Sequence, residues 1–336
     1  MKITTITLNP CIDWLYQVPR LVHGGLNRVV RTRADIAGKA INVAVALKNL
    51  GESPLCTGFN FTENGALLTS KLNALGVQHD FVEAEGAIRV NIKLYEGAVS
   101  TVSSTPHADH TGVMTELNQS GAFVPEAAQA ALLQKLEATQ SGYFVLSGSR
   151  PEGVDEGFYA KICDVCNGRV FLDTEGNALK SALTASRQRN NVSASTETAA
   201  RGIFGLKPNL FELETTFGVK LKTPREIADF CKTRLIEPFG VKIVCVSMGA
   251  DGAVFVTAEN AFFCPVLDIT PKGVVGAGDS MVAGMVYACA RNMPDDKIFA
   301  YAMAAAAASV VLEGTEMCTK QGVEDMLRVV PLFVPL

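Results

Sequence analysis

The segment of this chain best suited to chemistry is Gly273-Val-Val-Gly276-Ala277-Gly278-Asp279-Ser280. Glycines lack Cβ, so backbone N–H groups can turn toward a ligand, and a helix start adds the positive end of a dipole. The residues that follow, Met281–Arg291, carry Val282, Met285, Val286 and Cys289 at helical spacing. A Gly-rich turn at a helix start is a hole for the negative charge that builds on a transferring phosphoryl group. Asp279 cannot bind that anion itself, but it suits the base that takes a proton from an attacking hydroxyl. An N-capping Asp on a Gly-rich turn accounts for the segment equally well when it is read alone.

Other nucleotide motifs are missing. Gly38-Lys39 is followed by Ala40 and preceded five residues earlier by Arg33, so the spacing of a Walker A loop fails. No G-x-G-x-x-G follows the first strand. Cys163-Asp-Val-Cys166 reads as packed thiols on a helix rather than a redox or metal pair. His107, Asp109 and His110 sit in a polar stretch that reads as solvent-facing rather than as a metal cluster.

The elements that must position Asp279 follow from periodicity. Ile3–Leu8 reads as a first strand, and Ile41 to Leu50 as a helix closed by Gly51. Tyr143–Ser147, Val170–Asp173, Ile203–Lys207 and Ile243–Ser247 are continuous apolar runs, each followed by a Gly or Pro loop and a helical stretch. Such strands are buried on both faces, as in a parallel sheet covered by helices. Val254–Val256 and Phe262–Pro265 read as a hairpin. Alternation in Asp13–Asp35 and Arg89–Thr101 predicts a small second sheet with one wet face. Ala98–Gly121 and Ser186–Ala200 read as loops or extended hairpins.

The 336 residues are 48% hydrophobic and 19% charged, enough for a sizeable core, with a net charge of -4. That balance argues against a nucleic-acid binder, while a few local cations can still hold an anionic substrate. The longest apolar stretch, Ala302–Leu312, falls short of a membrane span. Nine cysteines, an odd number among apolar neighbours, predict a reducing compartment, and the expected location is cytoplasmic.

Six ordered blocks resemble the PfkB/ribokinase family, and within it the 1-phosphofructokinase and tagatose-6-phosphate kinase branch. They are Thr7-Leu-Asn-Pro-Cys-Ile-Asp13, Ala37-Gly-Lys-Ala-Ile-Asn-Val-Ala44, Ser147-Gly-Ser-Arg-Pro-Glu-Gly153 and Leu206-Lys-Pro-Asn-Leu-Phe-Glu212. Val246-Ser-Met-Gly-Ala-Asp-Gly-Ala253 and Val275-Gly-Ala-Gly-Asp-Ser-Met-Val-Ala-Gly284 complete the set. The resemblance implies an α/β ribokinase-like three-layer sandwich. It would be a single kinase domain over 1–336, with a small β-sheet lid from about 13–35 and 89–113.

It also implies roles. Asp279 would be the base, with N–H groups at Gly276, Ala277 and Gly278 as the anion hole. Asn209 and Glu212 would organise Mg²⁺, through water, and Lys207 would reach the phosphates of ATP. Ser247, Gly249 and Gly252 would border the nucleotide. Asp13, Asn42 and Gly38 would meet the sugar, and Arg28, Lys39 and Arg89 would surround its anionic group. The implied reaction is ATP- and Mg²⁺-dependent phosphorylation of a ketohexose phosphate, fructose 1-phosphate first and tagatose 6-phosphate second. An unphosphorylated sugar is a third acceptor, and a homodimer through the lid is expected. A nucleoside kinase and a catalytically silent sugar-phosphate-binding regulator are the rival readings. Ala37 and Ala40 depart from the glycines usual there, and Arg150 replaces an apolar residue before Pro151.

Overall fold

The computed structural model describes residues 1–97, 113–192, 202–273, 275–312 and 316–336. Its first strands are β1 (Ile3–Thr7), β2 (Cys11–Val18), β3 (Arg31–Ala37), β4 (Leu55–Glu63) and β5 (Gln78–Ala87). Then come β6 (Arg89–Glu96), β7 (Val113–Asn118), β8 (Tyr143–Ser147), β9 (Arg169–Asp173) and β10 (Gly202–Leu206). β11 (Ile243–Ser247), β12 (Ala253–Val256), β13 (Ala261–Cys264) and β14 (Val334–Pro335) follow. The main sheet runs β14-β13-β12-β11-β10-β9-β8-β1-β4-β5. Neighbours from β11 to β5 pair in parallel, and β12 to β14 add an antiparallel edge.

Helices cover both faces because the strands are apolar on both. The helices are α1 (Lys39–Asn49), α2 (Gly65–Ala74), α3 (Glu126–Ala138), α4 (Phe158–Val165), α5 (Gly176–Val192) and α6 (Leu210–Phe217). After these come α7 (Pro224–Cys231), α8 (Glu237–Phe239), α9 (Ala277–Cys289), α10 (Asp295–Val310) and α11 (Lys320–Leu327). Alternate residues of β8 supply the two cores, as strand geometry requires. Phe144 and Leu146 pack with Leu68 of α2, Leu132 of α3, Ile162 of α4 and Leu213 of α6. Tyr143 and Val145 face the other way, toward Leu47 of α1, Met285 of α9, Phe299 of α10 and Val323 of α11. This is the three-layer sandwich expected from the sequence.

Close packing of α9 fixes the carrier of Asp279. Its residues from Asp279 to Cys289 are all buried. At Gly284 a Cβ would lie 2.4 Å from the carbonyl oxygen of Tyr301, so only glycine lets α10 approach this closely.

A second sheet, ordered β3-β2-β6-β7, stands apart from the first in its pairing. Register sets Asp13 opposite both Asp35 and Asn91, Asn91 opposite Asn118, and Lys93 opposite Glu116. Residues opposite one another share a face, so these polar side chains lie together on one face of the sheet.

Three local expectations change. Ile243–Ser247 leads through a 3₁₀ turn, Gly249–Asp251, into antiparallel β12 rather than into a helix. Ser186–Val192, expected as loop or extended hairpin, continues α5, because a polar sequence does not by itself break helical backbone. Val113–Asn118, expected as loop or hairpin, is the edge strand β7, exposed along its whole length and therefore without an apolar signal. His107, Asp109 and His110 lie outside the described residues. Cys163 and Cys166 are both buried in the core, and no group of three or more His, Cys, Asp or Glu among the described residues is arranged to hold a metal.

Candidate active site

The carboxyl ends of the parallel strands converge on one region, where open α/β sheets hold their ligands. Ser147 ends β8, Asp173 ends β9, Lys207 follows β10 and Ser247 ends β11. A cavity of about 390 Å³ opens there, bordered by Asp279, Asp173, Lys207, Asn209, Glu212 and Ser247. Its other wall is Gly38, Lys39 and Asn42 of the α1 start, together with Asp13, Arg89, Asn91 and Lys93 of the small sheet.

Asp279 sits in the first turn of α9, 7% exposed. Gly276 caps that helix at φ 83, a conformation costly for any residue with a Cβ, so the turn requires glycine. The side chain of Asp279 does not cap its own helix; Asn42 Nδ2 donates to its Oδ2 over 2.8 Å. That outcome removes the capping alternative. Burial, followed by the negative charge of Asp173, pushes the Asp279 carboxyl up to about 6, although Asn42, Lys39 and Lys207 oppose the rise. A carboxyl at that value is mostly ionised at neutral pH and still basic enough to accept a proton.

Asp173 was not singled out in the sequence, yet it is the hub of the site. It is 2% exposed. Ser147 Oγ donates to its Oδ2 at 2.8 Å, while Lys39 Nζ and Lys207 Nζ stand 3.5 and 3.6 Å from its Oδ1. Burial raises its pKa, but Lys207, Lys39 and Ser147 together outweigh burial and hold it below the ordinary carboxylate range. Lys39 also lies 3.5 Å from Glu212 Oε1, and Asp173 is the main cause of the raised Lys39 pKa. Lys39, expected among the cations around the sugar, is thus turned toward the acids below Asp279. An acidic residue ending a parallel strand was the available signal for Asp173.

Asn209 and Glu212 form a complete capping box on α6: Asn209 Oδ1 accepts from the Glu212 N–H at 2.7 Å, and Glu212 Oε2 accepts from the Asn209 N–H at 2.9 Å. Asp173 Oδ1 is buried and, although the two lysines stand at ion-pair distance, no donor makes a hydrogen bond to it. Carboxylate oxygens from Glu212 and Asp173 on one cavity wall are the hard donor type that suits Mg²⁺. The residues present fit that ion.

On the small sheet Asp13 is almost saturated. Cys11 Sγ and Asn91 Nδ2 donate to its Oδ1 at 3.3 and 3.0 Å, and Lys93 Nζ donates to its Oδ2 at 2.8 Å. Burial and then the Asp13 charge push the Cys11 thiol up to about 12, so it stays protonated and donating. Lys93 was missed, although Arg89, Asn91 and Lys93 alternate on one face of β6. Burial lowers its pKa, but Asp13 more than reverses this and the net direction is up. Arg89 borders the cavity, donating to Asn9 O and Asn91 Oδ1. Arg28 is exposed in the β2–β3 connection and is not among the residues bordering the cavity. Arg150 turns to Val154 O and Glu156. Ala37 borders the cavity; Ala40 is buried and does not.

A second, wider cavity of about 1030 Å³ adjoins the first and shares Asn209, Ser247 and Gly278 with it. Gly249 and Gly252 of the β11–β12 turn border it, as does Ala277 of the α9 start. The two cavities meet at the start of α9. Two adjoining cavities with a buried carboxylate at the smaller one suit transfer of a group between two ligands.

Residues 6–321 match the pfkB family of carbohydrate kinases, and the chain belongs to that family. It is 32% identical to a 1-phosphofructokinase of Bacillus subtilis over 333 residues, covering 97% of each chain. It is 30% identical to a 1-phosphofructokinase of Borreliella burgdorferi over 329 residues, covering 97% of this chain and 96% of the relative. Among solved structures, phosphofructokinase-2 from Escherichia coli in complex with substrates and products superposes with a TM-score of 0.84 at 26% identity. That superposition covers 98% of this chain and 99% of the other.

Proposed function

We propose that this kinase transfers the γ-phosphoryl group of ATP to a hydroxyl of a ketohexose phosphate, with fructose 1-phosphate as the first acceptor and tagatose 6-phosphate as the second. The observation that carries the reading is the buried Asp279, held by Asn42 at a helix start and facing the smaller cavity. Asp279 takes the acceptor hydroxyl proton onto its carboxylate, and the freed oxygen forms a bond to the γ-phosphorus. The bond from that phosphorus to the bridging oxygen breaks, and ADP leaves with its electron pair. N–H groups of the Gly276–Gly278 turn face the charge that builds on the phosphoryl oxygens. Lys207, fixed by Asp173, supports the same oxygens.

Mg²⁺ bound beside Glu212 and Asp173 would neutralise phosphate charge and align the donor. Lys39 keeps these two acids close together before any ion arrives. The wider cavity takes the nucleoside part of ATP, and Asp13, Asn42, Arg89 and Lys93 face the sugar. The small sheet acts as a lid that closes over the acceptor and limits ATP hydrolysis. The exposed apolar residues Val22, Leu26, Val29, Val113 and Leu117 on this sheet and its connection support pairing of two copies through the lid. One solved relative is a tetrameric inhibited form of phosphofructokinase-2 from Escherichia coli, and pairing of this chain through the lid stays part of the proposal. No helix among the described residues is long and apolar enough to cross a membrane. A cytoplasmic location belongs to the same reading, supported by the nine cysteines.

The test is ADP release with fructose 1-phosphate, fructose 6-phosphate, tagatose 6-phosphate and free hexoses. Turnover with the highest kcat/KM on fructose 1-phosphate is expected. Binding of sugar phosphates without ADP release from any of them overturns the reading in favour of a silent regulator.

A further inference from the structure

The first turn of α6 sends its side chains into two different cavities. Glu212 borders the cavity of Asp279, while Phe211 and Glu214, three residues apart on the helix, border the wider one. The capping box locks this division, because both Asn209 and Glu212 are held at the helix start. Phe211 is 71% exposed, a whole aromatic ring left in solvent on the wall of a ligand-sized cavity. An exposed apolar side chain alone means little; its position is what matters here. The same cavity is also bordered by Val266, Ile269, Pro271 and Val310.

Two of the polar side chains on this wall, Asn209 and Glu214, are tied up within α6 and its surroundings, while Ser247 and Asp268 also border the cavity. Asn209 Oδ1 accepts from the Glu212 N–H. The Glu214 carboxylate accepts from Lys220 Nζ at 2.6 Å and from the Leu221 N–H at 2.8 Å. A flat heterocycle bound here finds mainly apolar faces, with Ser247 and Asp268 as the further polar side chains at the cavity border. Phe211 stands two residues from Asn209, which borders both cavities, so its ring lies beyond the phosphates on the nucleoside side of the donor site.

We propose that Phe211 is the aromatic platform for the nucleobase of the phosphoryl donor, binding the base by ring contact. The inference rests on the ATP reading given above and adds how the base is held. Stacking on one aromatic residue accounts for about a tenfold effect on affinity when that residue is cut to alanine.

Inorganic tripolyphosphate supplies the probe, because it carries the charge of the ATP tail and has no base. Phe211 is outside the core, so Phe211→Ala leaves folding intact. The expected result is about a tenfold weaker ATP and ADP affinity in Phe211→Ala, with tripolyphosphate inhibition and acceptor KM unchanged. Phe211→Trp restores ATP affinity. Unchanged ATP affinity in Phe211→Ala overturns the proposal. So does an equal loss for ATP and tripolyphosphate, which assigns Phe211 to the helix start instead. Wild-type protein that fails to bind any nucleotide overturns the donor reading along with this one, whereas normal wild-type binding isolates the failure to Phe211.

Discussion

Asn42 Nδ2 on α1 donates to Asp279 Oδ2 on α9 across 2.8 Å, joining residues 237 positions apart in the chain. The bond holds Oδ2, and in the proposed reaction Oδ1 is the oxygen that receives the proton. Proton transfer by a positioned base is worth about 10²–10⁴ in rate. Asp279→Asn keeps the shape and removes the base, so kcat falls by about 10³ while ATP affinity measured by calorimetry is retained. Turnover near wild type would sink the assignment of the base.

On the proposed role of Asp279 as base, which requires its ionised form, Asp279 sets the acid side of the pH profile. With its pKa near 6, kcat/KM declines as pH falls through about 6. Sugar phosphate and ATP also titrate in this range, so the position of the limb alone is ambiguous. Asp173→Asn separates the two sources. Losing the Asp173 charge removes the second cause of the rise and frees Lys39 and Lys207 to act on Asp279. The limb then moves to lower pH with the same substrates. A limb that does not move belongs to the substrate.

The same burial makes Asp279 a cost to the fold. Its folded pKa lies above the ordinary 3.8, so the neutral form suits the folded state and ionisation opposes it. Below 3.8 the cost is absent; it grows as pH rises from there to about 6 and is constant above. The gap corresponds to about 3 kcal/mol. Asp279→Asn is therefore more stable than wild type at pH 7.5, and the difference narrows toward pH 4. Thermal or urea unfolding of both proteins at the two pH values measures it. A wild type that equals the variant at pH 7.5 contradicts the cost.

Much of this was legible before any coordinates. Continuous apolar runs at Tyr143–Ser147 and Ile243–Ser247 carry the signal of buried parallel strands, and both are strands with those bounds. The glycine turn before Asp279 reads as a helix start because only glycine takes φ 83 cheaply, as Gly276 does. Pairings across the chain were not legible. Whether Asp279 caps its helix or meets Asn42 depends on α1 lying beside α9, which no local spacing encodes. Asp173 and Lys93 have the same history: each takes its meaning from partners brought in by other strands. Val113–Asn118 was hidden for a different reason, since an edge strand exposed on both faces carries no apolar period.

Lys93 is the cation that the sequence reading passed over, and its charge bears on the acceptor. Asp13 has about four lone-pair positions; Cys11, Asn91 and Lys93 fill three of them. One position remains on the Lys93 side, where the proposed sugar hydroxyl would bind, and Lys93 borders the same cavity. Lys93→Met keeps the apolar stem and removes the ammonium donors. Acceptor KM should rise by at least about tenfold, with the KM for ATP unchanged. Removing one partner of a buried pair also strands the other charge, at about 3–5 kcal/mol for a fully buried pair and less at the 11% and 10% side-chain exposure found here. Asp13→Asn/Lys93→Met restores neutrality and so recovers stability, yet it should still bind acceptor more weakly than Asp13→Asn alone. If adding Lys93→Met to Asp13→Asn costs nothing in acceptor affinity, Lys93 serves only as the counterion of Asp13.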